Sequence, residues 1–156
     1  MSYPMEHQEM GLWCWAAVSL SIAKYFDPAT AFSQCAVASA VKNRNCCANK
    51  PSCNQADELE AALTAVKRFR RMFTGRLTFA AVRQSIRDGF PIPVRIGWRP
   101  AGGHYVVITG FKTAISGEQF VDIADPLYES RLWRYNDFLD AYYGSGVWTH
   151  TYEVKE

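Results

Sequence analysis

The sequence predicts a single α+β domain with its helices first and an antiparallel sheet second. Three observations carry this. Apolar residues recur at helical spacing in the first half, behind residues that cap helices. After residue 90 the spacing changes to alternation, or to short continuous apolar runs. The 156 residues suit one domain with its own core, at 49% hydrophobic and 21% charged residues.

The first helix is expected over about Leu12–Phe26, apolar on most sides and stopped by Asp27-Pro28, so it should lie central and buried. Ser33 is placed to cap a second helix running through Val41. "KNRNCCANKPSCN" reads as a loop from its Asn, Lys and Pro content. Asn54 is placed to cap a third helix, with Asp57 and Glu58 in its first turn and Leu59, Ala62, Leu63 and Val66 on one face. "KRFRR" at Lys67–Arg71 then reads as the solvated end of that helix rather than a nucleic-acid patch. Thr78 should cap a fourth helix that points Phe79, Val82 and Ile86 inward and ends at Gly89.

In "PVRIGW", Val94, Ile96 and Trp98 share a face. "HYVVITGF" is nearly continuous apolar, as in a strand covered on both sides. "QFVDIAD" alternates again. "SRLWRY" is a further strand, "NDFLDAYY" a short helix and "VWTHTYEV" a last strand. The net charge of +2 gives no ground for nucleic-acid or anionic-membrane binding. No apolar run is long enough to span a bilayer, and "MSYPMEHQEM" lacks the apolar core of a signal peptide.

Of five cysteines, Cys35, Cys46, Cys47 and Cys53 cluster and Cys14 stands apart. The cluster lacks a C-x2-C pair, so zinc fits it poorly; two disulfides suit it if the protein is exported, and reduced, buried thiols if it acts in a cytosol. Four cysteines allow three pairings, of which a direct Cys46–Cys47 bridge would be strained. Cys14 is then the odd thiol, set near a helix N-terminus whose dipole favours an anion. Six residues upstream, Gln8 could lend a side-chain N–H to an oxyanion site beside the backbone N–H of Cys14. His104 follows Gly102-Gly103 and opens the most apolar strand, so its ring should be held in place. His7 and His150 lack such a setting. By alternation Asp125 shares a face with Val121 and Ile123 and stands at the strand's end before Pro126. It is preferred to Asp122 as the acceptor that orients His104. Trp98 and Gly103 are candidates for lining a substrate subsite.

Together, Gln8, Cys14-Trp15, "GGHYVVITG" and Asp125-Pro126 resemble the papain-like cysteine peptidases. The resemblance is to compact bacterial members: bacteriocin-processing peptidases attached to exporters, and effector proteases injected into plant cells. "FSQC", "NCCAN" and "SCNQ" are similar to segments of such proteins, and the likeness runs from about Pro4 to Tyr128. It implies one papain-like domain over residues 1–156, with a cleft between a helical half carrying Cys14 and a sheet half carrying His104. It also implies that Gln8 stabilises the oxyanion, Cys14 attacks, His104 acts as base and acid, and Asp125 orients it. No metal or organic cofactor is expected. The partners implied are a protein or peptide substrate and a cognate immunity or inhibitor protein. The implied setting is secretion or translocation into a target cell, as an effector or as a toxin domain cut from a longer chain. Two rivals use the same residues: a Cys-His-Asp deamidase or acyltransferase acting on protein side chains, and a disulfide-stapled binding module with an inert Cys14.

Overall fold

A computed structural model describes residues 1–156. Three helices come first: α1 (Cys14–Phe26), α2 (Gln34–Lys42) and α3 (Leu59–Ala65). Then follow β1 (Phe69–Thr74), α4 (Phe79–Arg87), β2 (Ile92–Gly97), β3 (Gly103–Thr113), β4 (Gln119–Ala124), β5 (Arg131–Arg134), α5 (Tyr135–Asp140) and β6 (Val147–Val154). The six strands form one sheet in the order β1-β6-β2-β3-β4-β5, and every neighbouring pair is antiparallel. This is the predicted α+β architecture, helices first.

The sheet separates two cores. On one side, Trp13, Trp15, Val18, Ile22, Val37, Leu59 and Leu63 from the helical half pack against Tyr105, Val107, Tyr152 and Val154. On the other, Phe79 and Val82 of α4 and Tyr135 and Phe138 of α5 cover Val94, Ile96, Val106, Ile108, Val121 and Ile123. β3 thus buries odd residues on one face and even residues on the other, which is why its sequence is apolar without a break. Ser33 and Thr78 cap α2 and α4 as their positions predict, accepting from the N–H groups of Ala36 and Ala81.

Three local expectations are corrected. The first helix starts at Cys14 rather than Leu12. Asn54 caps no helix: its side chain instead accepts the N–H of Leu12, and α3 begins only at Leu59. Lys67–Arg71 is not a helix end. The chain turns at Lys67, which has a φ of 61°, and enters edge strand β1, where Arg71 pairs with Glu153 of β6 at 2.6 Å. Arginines on an edge strand keep its unpaired backbone from recruiting another chain, and their charge hides the strand from a hydrophobicity pattern.

The cluster forms two disulfides, Cys35–Cys47 and Cys46–Cys53, and Cys14 remains the one free thiol. The second bridge anchors the start of α1. The indole N–H of Trp13 donates to the Cys53 carbonyl at 2.8 Å, and that of Trp15 to the Gln55 carbonyl at 3.0 Å. The two tryptophans beside Cys14 therefore tie it to the stapled loop. Replacing Cys46 and Cys53 together by serine is expected to lower unfolding free energy by about 2–3 kcal/mol, the loop-closure value for so short a loop. An unchanged denaturant midpoint would show that the bridge adds nothing.

Candidate active site

Alternation along three strands brings side chains to one end of the second core. Trp98 follows the parity of Val94 and Ile96, His104 that of Val106 and Ile108, and Asp125 that of Val121 and Ile123. His104 and Asp125 are each 4% exposed, and the His104 Nε2 lies 2.8 Å from Asp125 Oδ1. Trp98 stacks on the imidazole with centroids 6.2 Å apart, and Tyr128 meets its edge at 6.0 Å.

The carboxylate of Asp125 is saturated. Oδ1 also accepts the backbone N–H groups of Leu127 and Tyr128, at 2.8 and 3.0 Å, in a tight turn around Pro126. Oδ2 accepts the phenol of Tyr142 at 2.6 Å. Burial alone would push this carboxyl up, but His104, Tyr142 and the turn N–H together hold it below the usual carboxylate range. Asp122 is exposed and takes no part.

Cys14 is the first residue of α1 and half-buried. The first-turn N–H groups of a helix have no partner within it, and no side chain caps this one. Burial opposes a charge on His104, yet hydrogen bonding and charge from both Asp125 and Cys14 outweigh it and raise the imidazole to about 9. With Nε2 on Asp125, Nδ1 is the nitrogen left for Cys14. The ring meets full hydrogen-bond geometry with Asp125.

Gln8 is buried, and its main-chain N–H donates to the carbonyl of Pro126, joining the two halves beside Asp125. Its side-chain Nε2 donates to the carbonyls of Met10 and Gly11, at 3.0 and 2.7 Å, while Oε1 has no partner. Buried Gln34 supports this segment by accepting the N–H of Glu9 and donating to the carbonyl of His7. Gly103 lines a cavity of about 200 Å³ with Cys14, Trp15, Arg95 and Tyr105. A Cβ on Gly103 would stand 2.7 Å from the Arg95 guanidinium, so glycine is what lets that side chain cross just before His104. Trp98 does not line this cavity; it covers the imidazole. His7 is exposed, and His150 bonds Thr149.

A family model described as papain-like cysteine protease AvrRpt2 matches residues 1–140. The chain belongs to this family. It is thus a papain-like cysteine protease, and its substrates are proteins. A search of curated proteins returns no match. No helix is long and apolar enough to cross a membrane. Three residues of the site escape sequence reading: Gln34, Arg95 and Tyr142. Tyr142 also lies beyond the residues that the family matches.

Proposed function

We propose that Cys14 cleaves peptide bonds through a covalent thioester, with His104 and Asp125 completing the catalytic set. The Cys14 sulfur, as thiolate, adds to the scissile carbonyl carbon, and the imidazolium of His104 is its counter-ion. His104 then gives its proton to the leaving amine as the carbon–nitrogen bond breaks. It next takes a proton from the water that hydrolyses the thioester, which returns the thiol. Asp125 fixes tautomer and ring angle throughout. The observation that carries this reading is the buried His104–Asp125 bond, on a ring whose charge state also responds to the sole free cysteine.

The oxyanion would sit against the N-terminal N–H groups of α1, with the Gln8 amide exchanging one of its two carbonyl partners for it. Gln8→Ala is expected to lower turnover by about 10²–10³-fold with Cys14 alkylation unchanged. Unaltered turnover would remove Gln8 from the set. Gly103 and Arg95 form part of the subsite next to the sulfur.

The two disulfides and the family both support a protein secreted or translocated into a target cell, acting there on a host or competitor protein. A producer of such a protease needs protection, so a cognate inhibitor is the expected second partner. The deciding experiment compares target-cell lysates treated with the wild type and with Cys14→Ala, searching for new protein N-termini. Cleavage products confined to the wild type are expected. Intact chains carrying mass changes at glutamine would instead establish a deamidase.

A further inference from the structure

We infer that Tyr142 is a positioning residue of the protease, sharing the charge of Asp125 and thereby setting how firmly His104 holds its proton. The inference rests on the reading of His104 and Asp125 given above. Four observations support it.

The phenol bonds Asp125 Oδ2 at 2.6 Å, and no other donor reaches that oxygen. Tyr142 is fully buried. An unpaired oxygen there would lack water as well as a protein donor, so the contact is obligatory for a charged carboxylate. The indole of Trp98 lies against both rings, 6.2 Å from His104 and 6.1 Å from Tyr142, which closes the Tyr142–Asp125–His104 series from solvent. Finally, the chain is built to present this phenol. Tyr142 and Gly146 exchange backbone hydrogen bonds of 2.9 and 2.8 Å across a tight turn. Tyr143 and Gly144 take positive φ of 47° and 88° within it. A Cβ on Gly146 would stand 2.6 Å from Ile96 and 2.7 Å from Trp98, so glycine alone lets the turn press so close. A left-handed tyrosine is costly, and here its cost accompanies placement of the neighbouring phenol.

The chemical consequence follows from charge. A phenol donor draws electron density from the carboxylate and weakens it as an acceptor for the imidazolium. Removing the donor should leave Asp125 more basic and His104 harder to deprotonate. Tyr142→Phe keeps the ring and its packing while losing the hydroxyl. Its His104 titration, followed by imidazole nitrogen NMR, is expected to move above the wild-type midpoint. Its kcat should fall about ten- to a hundredfold, the size seen when an outer hydrogen bond that orients a functional imidazole is lost, with KM nearly unchanged. In an Asp125→Asn background the same substitution should leave the His104 titration where it was, because the charge it acts through is gone.

If Tyr142→Phe does not fold, difluorotyrosine introduced at position 142 serves instead. Its more acidic hydroxyl is a stronger donor and should move the midpoint down. An unchanged titration in a folded variant, or an equal shift with Asp125→Asn present, would overturn the inference. The titration needs no substrate. If the wild type cleaves nothing, the protease reading fails while the charge sharing by Tyr142 is still decided.

Discussion

His104→Ala is expected to lower peptide turnover by about 10³–10⁴-fold and to slow alkylation of Cys14 at neutral pH. The loss is large because one ring does two jobs. In the proposed mechanism it is the positive partner of the sulfur, and it carries the proton to the leaving amine, a role worth about 10²–10⁴-fold on its own. The same group has a signature in stability. Its folded pKa, about 9, lies above the ordinary value of 6.5. The stabilisation linked to it is therefore complete below about pH 6.5 and disappears as pH rises through 9. Wild-type unfolding free energy should fall across that window by on the order of 3 kcal/mol, from the size of the shift, and His104→Ala should lack this decline. Activity should persist up to about pH 9 and fall above it. Denaturant midpoints at pH 6 and pH 9.5, with a pH–rate profile, check both statements. A wild type whose stability is flat between those values would mean that Cys14 and Asp125 do not hold the proton on His104.

The parts of this site that are legible in the sequence are those with a local marker. Cys14 is left over when the other cysteines pair. His104 stands between a glycine pair and the most apolar strand. Asp125 is fixed by parity with Val121 and Ile123. Each inference needs only a few neighbouring residues. Tyr142 has no such marker, since its partner lies 17 positions away and the contact depends on a turn whose geometry sequence alone does not reveal. Arg95 looks like an outward residue of an alternating strand until Gly103 is seen beneath it. In the fold, the misread stretches are those where a polar side chain serves a distant segment. Asn54 has the chemistry of a helix cap but is spent on Leu12, and the arginines of β1 look like a solvated helix end but face Glu153. Local propensity loses in the first place to a tertiary hydrogen bond and in the second to the backbone ladder that joins β1 to β6.

Asp125→Ala should cut kcat by about 10²–10⁴-fold while leaving KM nearly unchanged, as expected for an interaction that matters in the transition state. It should also lower unfolding free energy, because His104, Tyr142 and the N–H groups of Leu127 and Tyr128 lose their buried acceptor. Asp122→Ala should have almost no effect on turnover. The distinction depends on register, because a one-residue slip in β4 would exchange the two aspartates between faces. The ladder between β3 and β4 does contain an irregularity, but it falls between Ile108 and Gly110, on the β3 side. Val107 faces Ala124 and Ile108 faces Ile123, so the end of β4 keeps the phase that turns Asp125 towards His104. Asp122 pairs opposite Gly110, where the absence of a Cβ leaves room for the Asp122 carboxylate to lie across the strand. Asp125→Asn should be the mildest of the active-site changes. Its amide oxygen can take the place of Oδ1, accepting from His104, Leu127 and Tyr128. Its NH₂ would then face Tyr142, whose hydroxyl can rotate from donor to acceptor. What is lost is the charge, so the asparagine variant should show a lower His104 midpoint than the wild type. An active Asp125→Ala beside an inactive Asp122→Ala would show that the two aspartates had been assigned the wrong way round.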